Sequence, residues 1–162
     1  MRWIWIDKFV EFEAGRRAVA VKNLTLAEEH LHDHFPGYPI MPASLIIEGM
    51  AQTAGILVGQ VRGFREKVIL AKIRRASFDR AVRPGEQLRY EATIENIDDA
   101  AAITAGVVWA GDERIGQVDL VFSHADQNQR GLALPKENFV FTEQFTSLLR
   151  NFLDQGNVRE PA

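Results

Sequence analysis

Residues 34–61 run HFPGYPIMP and then ASLIIEGMAQTAGILVGQV, a proline-rich loop followed at once by a long apolar segment. Three prolines within positions 36–42 fix φ at their own positions and restrict the residue before each, so the loop is predicted to hold one shape. From Ser44 to Val61 the apolar residues leave no wide polar stripe, which is typical of a helix buried on all sides. A membrane span is the alternative, but Glu48, two glutamines and three glycines argue against it.

Strand-like patterns flank this helix on both sides. Alternating or β-branched runs predict six strands, near residues 2–13, 16–24, 67–78, 86–97, 101–110 and 114–124. Ala14-Gly15, Pro84-Gly85 and Gly111-Asp112 supply turns between them. Since no further helices intervene to make parallel crossovers, the pattern predicts an α+β fold in which an antiparallel sheet wraps around a long central helix.

Two smaller helical segments complete the prediction. Thr25 can cap a short helical turn ahead of the loop. After an irregular connection over residues 125–135, a C-terminal helix is expected, with Gly156 beyond its end, to pack on the body or on a second subunit. Its apolar face is predicted to contain Phe141, Phe145, Leu148, Leu149 and Phe152. The chain is expected to form one domain over residues 1–162, with residues 130–162 as a C-terminal extension.

Composition excludes several classes of function. The 162 residues contain no cysteine, which rules out disulfides, a thiolate nucleophile and a cysteine-based zinc site. The net charge of −3 gives no global attraction to nucleic acid or to an anionic membrane. Because no secretory signal is recognisable, a cytoplasmic location is expected.

Basic residues are concentrated in the middle of the chain. They form either a solvated face or a docking patch for an acidic partner, and the sequence leaves both interpretations open. The residues are Arg62, Arg65, Lys67, Lys72, Arg74, Arg75, Arg80 and Arg83.

Glu48 is the most informative single residue. An unpaired carboxylate inside an apolar helix is costly, so Glu48 must be paired, protonated or functional. Desolvation favours the protonated acid, which can donate a proton. The alternative is a structural glutamate bonded to backbone or to a partner chain.

His34 begins the rigid loop, where neighbouring prolines would position a general base. By itself, however, a histidine in a loop is more often a surface or structural residue than a catalytic one. His30, His32 and His34 alternate and would share one face of a strand, as zinc ligands do, but the segment is predicted to be helical and no further ligand cluster is visible. Ser44, at the start of the helix, is interpreted as an N-cap and not as a nucleophile.

The stretch from His34 to Gln52 resembles the signature of the β-hydroxyacyl-ACP dehydratases of fatty-acid synthesis, which have the hotdog fold. That pattern pairs an H-F-P-G loop with an acidic residue fourteen positions later, as His34 and Glu48 are spaced here. The resemblance covers about residues 4–124 and includes Ile6-Asp7-Lys8, Val21-Lys22-Asn23 and Phe78 with Pro84-Gly85.

The resemblance implies a mechanism and its residues. His34 would remove the proton at C2 of a (3R)-hydroxyacyl chain, and Glu48 would protonate the departing C3 hydroxyl to leave a trans-2-enoyl chain. Gly37, Ala43 and Ser44 would contact substrate, with backbone N–H groups at the helix N-terminus binding the thioester carbonyl. The family commonly has glycine where this chain has Ala43, which leaves substrate preference open. Neither a metal nor an organic cofactor is implied.

The resemblance also implies partners. His34 and Glu48 would come from different subunits of an obligate homodimer, which in this family can assemble into a trimer of dimers. The substrate would be carried by acyl-carrier protein, an acidic partner for the basic stretch. Glutamate at position 48, instead of aspartate, favours dehydration without isomerisation of the double bond.

Two other classes of function remain compatible with the fold. One is a hotdog thioesterase or hydratase acting on acyl-CoA, although the spacing of His34 and Glu48 argues against it. The other is a non-catalytic acyl-binding protein, because a fold does not certify an activity.

Overall fold

The computed structural model describes residues 3–125 and 134–154, with side chains described as far as Asn151. It contains six strands and three helices over these residues. In chain order they are β1 Lys8–Glu13, β2 Arg17–Asn23, α1 His30–Asp33, α2 Ala43–Val61, β3 Val68–Phe78, β4 Gln87–Ile97, β5 Ala101–Ala110, β6 Glu113–His124 and α3 Glu143–Asp154. The predicted α+β class is confirmed.

All six strands form one antiparallel sheet in the order β1-β2-β4-β5-β6-β3. Along β5 every second residue is buried, because alternate side chains of a strand point to opposite faces. The buried face packs on α2, whose Met50, Ala54, Leu57 and Val58 are fully enclosed. The sheet therefore wraps the apolar helix, as the patterns predicted.

Helix α2 is long and apolar enough to cross a membrane by length and composition, but most of it is buried inside the fold. It lies close to the sheet at Gly49, where an added Cβ would come within 2.5 Å of the Tyr90 ring and hydroxyl. Tyr90 is itself fully buried, and burial raises the pKa of its hydroxyl. The segment is thus the core helix of the domain.

The first predicted strand was too long. It begins at Lys8 because the preceding backbone is bound by a side chain of α2. The Gln52 amide donates to the carbonyl of Trp3 at 3.2 Å and accepts from the backbone N–H of Trp5 at 2.8 Å. Residues 3–7 are therefore held against the central helix.

The interpretation of Ser44 as an N-cap was wrong. Helix α2 begins one residue earlier, at Ala43, and its N-cap is Pro42 without a side-chain cap. The Pro42 carbonyl accepts from the N–H groups of Leu45 at 2.9 Å and Ile46 at 3.2 Å, so the proline loop passes directly into the helix. Ser44 is exposed within the first turn.

The short helical elements also differ from the prediction in their limits. Thr25 and Glu28 bond reciprocally in a turn, and the helix α1 starts later, at His30. At the C-terminus, Phe141 lies before α3 and not within it. The Thr142 hydroxyl accepts from the N–H of Phe145, and this cap makes the helix begin at Glu143. Residues 126–133, the Phe152 side chain and Gly156 lie outside the described part.

Candidate active site

Glu48 is half-buried in the second turn of α2, and its carboxylate is held by two donors. Its Oε1 accepts from Trp3 Nε1 at 2.9 Å and from Gln52 Nε2 at 3.1 Å. Gln52 lies one turn further along the helix, on the same face as Glu48. Both bonds fall on Oε1, so the orientation of the carboxylate is set while Oε2 is left for another partner.

Glu48 lines a cavity of about 340 Å³. The wall is almost entirely apolar, and Glu48 is the one ionisable residue among those described along it. The lining consists of Trp3, Ile4, Ile6, Glu48, Ala51, Gln52, Gly55, Ile56, Val68, Leu70, Phe122, Val140, Phe141, Phe145 and Leu148. A single carboxylate in such a cavity is suited to transferring a proton to an apolar ligand.

His34 is half-buried at the start of the loop, and its ring orientation is fixed. Its Nδ1 lies 3.2 Å from the carbonyl oxygen of Ile40. Because a carbonyl can only accept, this contact requires the hydrogen on Nδ1 and leaves the lone pair on Nε2. The ring also stacks on Phe35 with centroids 4.3 Å apart. Nε2 is thus the nitrogen available as a base.

The loop around His34 is closed by its own backbone. Phe35 and Tyr38 exchange N–H to carbonyl bonds at 3.2 and 2.9 Å, and the Ile40 N–H donates to the His34 carbonyl at 2.9 Å. Gly37 has a φ of +76°, which favours glycine at this turn, and its position is open. These bonds define a single compact shape for the loop, consistent with the restriction that its prolines impose.

Within one chain the structure does not bring His34 to Glu48. His34 is absent from the described cavity lining, and no bond or ring contact joins the two residues. Ala43 and Ser44, which lie between His34 and Glu48 in the sequence, are exposed at the N-terminus of α2. Their amides belong to the first turn, where N–H groups have no acceptor within the helix.

The alternating histidines do not form a metal site. His30–Asp33 is a helical turn, so the three rings do not share a strand face. Over residues 3–125 and 134–151, no group of three or more histidine, aspartate or glutamate side chains is placed to hold a metal ion. His30 instead packs edge-on against Trp5, with ring centroids 5.0 Å apart.

The basic stretch does not form one patch, because several of its members are already engaged. Arg62 is bonded to Glu66 and Asp99, and Lys67 is buried. Arg80 bonds to Glu86 and Glu113 at 2.7 and 2.8 Å, and its guanidinium holds the pKa of Glu86 below its usual value.

Three other arginines are more exposed. Arg74 and Arg75 on β3 form ion pairs with Glu95 and Asp119 at 3.7 and 3.8 Å, but their side chains stay 49% and 61% exposed. Arg83 is exposed beside the His34 loop, where its guanidinium lies 4.4 Å from the centroid of the Tyr38 ring and donates to the Tyr38 hydroxyl. Basic charge therefore reaches the rim of the loop.

Sequence reasoning missed three features of the site. Gln52 had a signal, since four residues after Glu48 places it on the same helix face. The contact of Trp3 and the cavity wall formed by residues 140–148 had none, because they depend on how distant segments pack.

The chain resembles known proteins over most of its length. A model of the FabA-like domain matches residues 3–119, more than two thirds of the chain. The chain belongs to the FabA-like family. The resemblance that the residues from His34 to Gln52 predicted is confirmed, and with it the hotdog fold. Helix α3 lies beyond the matched region.

Curated relatives match over most of their length. The chain is 39% identical to the 3-hydroxyacyl-[acyl-carrier-protein] dehydratase FabZ of Caldanaerobacter subterraneus over 126 residues, 77% of this chain and 89% of that enzyme. It is 36% identical to the enzyme of the same name from Bacillus pumilus over 122 residues, 75% of this chain and 85% of that enzyme.

Solved structures share the fold at lower identity. The conserved protein PA5202 of Pseudomonas aeruginosa is 18% identical with a TM-score of 0.60, covering 73% of this chain and 86% of that one. A chain of the dehydratase heterocomplex ApeI:P of Xenorhabdus doucetiae is 17% identical with a TM-score of 0.56, and the match covers 68% of this chain and 89% of that one.

Proposed function

We propose that this protein dehydrates (3R)-hydroxyacyl-acyl-carrier protein to the trans-2-enoyl thioester, with His34 as base and Glu48 as acid. The observation that carries the proposal is the Glu48 carboxylate, held by two donors at the wall of an otherwise apolar cavity. The FabZ relatives, which carry this activity in their names, support the same reaction class.

The base step uses the lone pair on His34 Nε2. With Nδ1 donating to the Ile40 carbonyl, Nε2 accepts the proton from C2 of the acyl chain as negative charge develops toward the thioester oxygen. The loop holds the ring in this orientation, and the Nδ1–H bond to the Ile40 carbonyl is kept when Nε2 becomes protonated and the ring turns into an imidazolium.

The acid step uses Glu48. Its Oε2 donates a proton to the C3 hydroxyl, the C3–O bond breaks, and water leaves as the C2–C3 double bond forms. Trp3 and Gln52 hold Oε1, so the proton on Oε2 is directed into the cavity. Glutamate at this position favours dehydration without isomerisation.

The N-terminus of α2 is proposed to bind the thioester carbonyl. The first-turn amides of Ala43 and Ser44, together with the helix dipole, stabilise the charge that develops on the oxygen. Ala43 retains the amide, so the methyl group does not remove this contact. Gly37 is proposed to let the loop approach the substrate closely.

A homodimer would complete the site. His34 and Glu48 do not meet within one chain, and β3 forms an edge of the sheet whose residues 71–77 are exposed. A long edge strand is a template for pairing with another chain. We therefore propose that His34 of one subunit faces Glu48 of its partner; further assembly into a trimer of dimers stays a prediction.

Carrier protein is the proposed macromolecular partner, approaching over the basic side chains of Arg74, Arg75 and Arg83. No cofactor enters the proposed chemistry, because both proton transfers use protein side chains. The cytoplasm stays the predicted location.

The deciding experiment follows the 3-hydroxyacyl and 2-enoyl thioesters spectrophotometrically with wild type, His34→Ala and Glu48→Gln. Each variant should lose about 10²–10⁴-fold in kcat while keeping the wild-type melting temperature. Equal rates in all three proteins would contradict the proposal. Thioester hydrolysis, measured in parallel as free thiol, would instead support the thioesterase alternative.

A further inference from the structure

The cavity beside Glu48 follows the axis of helix α2. Glu48, Ala51, Gln52, Gly55 and Ile56 line it along one side of the helix. From Glu48 to Gly55 the helix rises about 10 Å, at 1.5 Å per residue. An apolar cavity of this shape starts at the proposed acid and runs away from it.

The C-terminal segment closes the far part of this cavity. Phe141 covers α2 at Gly59, where an added Cβ would come within 2.5 Å of the Phe141 ring. Gly59 lies about 16 Å along the helix from Glu48. Phe145 and Leu148 line the cavity from the first turns of α3, and the Phe141 and Phe145 rings are 5.6 Å apart.

Polar bonds hold this segment in place. The Asn138 amide donates to the carbonyls of Phe64 and Glu66 at 3.1 and 3.3 Å, and its oxygen accepts from the N–H groups of Val140 and Phe141, each at 3.0 Å. One side chain thus ties the end of the central helix to the start of the cavity wall. Leu149 anchors α3 further along, with 2% of its surface exposed.

We infer that Phe141, Phe145 and Leu148 form the end wall of the acyl-chain cavity and limit the length of the chain that this enzyme accepts. The inference rests on the proposed dehydratase function, because it takes the occupant to be the acyl chain of the substrate. These residues lie outside the region matched to the FabA-like domain, so the limit belongs to this chain's own C-terminal segment.

The experiment compares the kcat/KM of four-, eight-, twelve- and sixteen-carbon 3-hydroxyacyl thioesters. Phe145→Ala and Leu148→Ala open the wall, so activity on chains that the wild type rejects should rise at least about tenfold relative to the four-carbon substrate. Gly55→Ala adds a methyl group to the cavity wall, and its contact with Phe122 at 3.4 Å is an ordinary one. This variant should shift preference to shorter chains.

Phe139→Ala is the matched control. Phe139 belongs to the same segment but is 46% exposed and absent from the cavity lining. Its length profile should equal that of the wild type. An unchanged profile in folded Phe145→Ala and Leu148→Ala, or an equal shift in Phe139→Ala, overturns the inference. If both opening variants fail to fold, the direction of the shift in Gly55→Ala decides.

A binding measurement separates this inference from the reaction. Saturated acyl-CoAs of the same lengths undergo no dehydration, and each buried CH₂ should tighten Kd about fourfold until the chain meets the wall. If the wild type dehydrates no substrate but its binding limit moves in Phe145→Ala, the proposed function fails and the end wall stands. If the wild type is active but the variants change neither the chain-length limit of kcat/KM nor that of Kd, the end-wall inference fails and the proposed function stands.

Discussion

Glu48 accepts hydrogen bonds from two different parts of the chain. Gln52 is its neighbour on α2, whereas Trp3 comes from the N-terminal segment. Gln52 also binds the backbone of that segment, so one amide holds both the carboxylate and its second donor. The side chain that orients the Glu48 carboxylate therefore also holds residues 3–5 in place.

Trp3→Phe tests this aiming. The change removes the Nε1–H donor but keeps an aromatic ring, so Glu48 loses one of its two bonds. We expect kcat to fall roughly tenfold with little change in KM. Because Trp3 is 60% exposed, the melting temperature should stay near that of the wild type. A loss confined to KM would show that Trp3 binds substrate and does not orient the acid.

His30 is expected to make stability depend on pH. Burial lowers the pKa of His30 below its ordinary value of 6.5, although Glu28 partly opposes this. As the pH drops through 6.5, His30 becomes protonated in the unfolded chain while it stays neutral in the folded protein. The free energy of unfolding therefore falls over this range. His30→Gln should lose less free energy of unfolding between pH 7.5 and 5.5 than the wild type. Parallel losses in urea titrations would contradict this.

At the scale of elements, Gly49 and Gly55 of α2 differ in how closely neighbouring side chains pack against them. An added Cβ at Gly49 would collide with the fully buried Tyr90, whereas one at Gly55 meets its nearest neighbour at 3.4 Å. Gly49→Ala should cost about 1–3 kcal/mol. Gly55→Ala, the matched control, should be neutral or gain up to about 1 kcal/mol from helix propensity. Equal stabilities in denaturant titrations would show that the sheet does not approach the helix at Gly49.

Strand β3 carries two of the exposed arginines of the basic stretch, Arg74 and Arg75. Reversing charge with Arg74→Glu and Arg75→Glu should raise KM for carrier-protein substrates several-fold more than for CoA analogues, because CoA, although its phosphates are negative, has no extended acidic surface to lie along β3. The difference should shrink at high salt. Arg62→Glu is the comparison, since the Arg62 side chain is only 28% exposed and is bonded to Glu66 and Asp99. An equal effect on both substrate types would count against docking at β3.

At the scale of the whole molecule, the proposed dimer makes a prediction that no monomeric enzyme meets. If each site combines His34 of one subunit with Glu48 of its partner, a heterodimer of His34→Ala and Glu48→Gln contains one intact site. Co-expression with random assortment should restore about a quarter of the wild-type activity, because half the dimers are mixed and each has one working site. If the co-expressed variants form mixed dimers that are also inactive, His34 and Glu48 of the same chain would have to form each site.

Much of this architecture follows from local patterns. Helix α2 is recognisable by its apolar run, and β5 by its alternation of buried and half-buried residues. Both patterns follow from the repeat of a helix or a strand, so residues close in sequence are enough to predict them. The spacing of His34 and Glu48, with the proline loop between them, was sufficient to predict the family. Gln52 was equally accessible, because residues four apart share a helix face.

Other features depended on contacts between distant segments. Strand β1 is shortened because Gln52 occupies the backbone before it, and α2 begins at Ala43 because Pro42 already accepts its first bonds. The pairing of Trp3 with Glu48 joins residues 45 positions apart, and Phe141 reaches Gly59 from the far end of the chain. Sequence periodicity carries no information on such contacts, since they arise only when the packed helix and sheet bring the two ends of the chain to one cavity. The family was therefore predictable from sequence, while the hydrogen-bond donors that orient Glu48 and the C-terminal part of the cavity wall were decided by the tertiary structure.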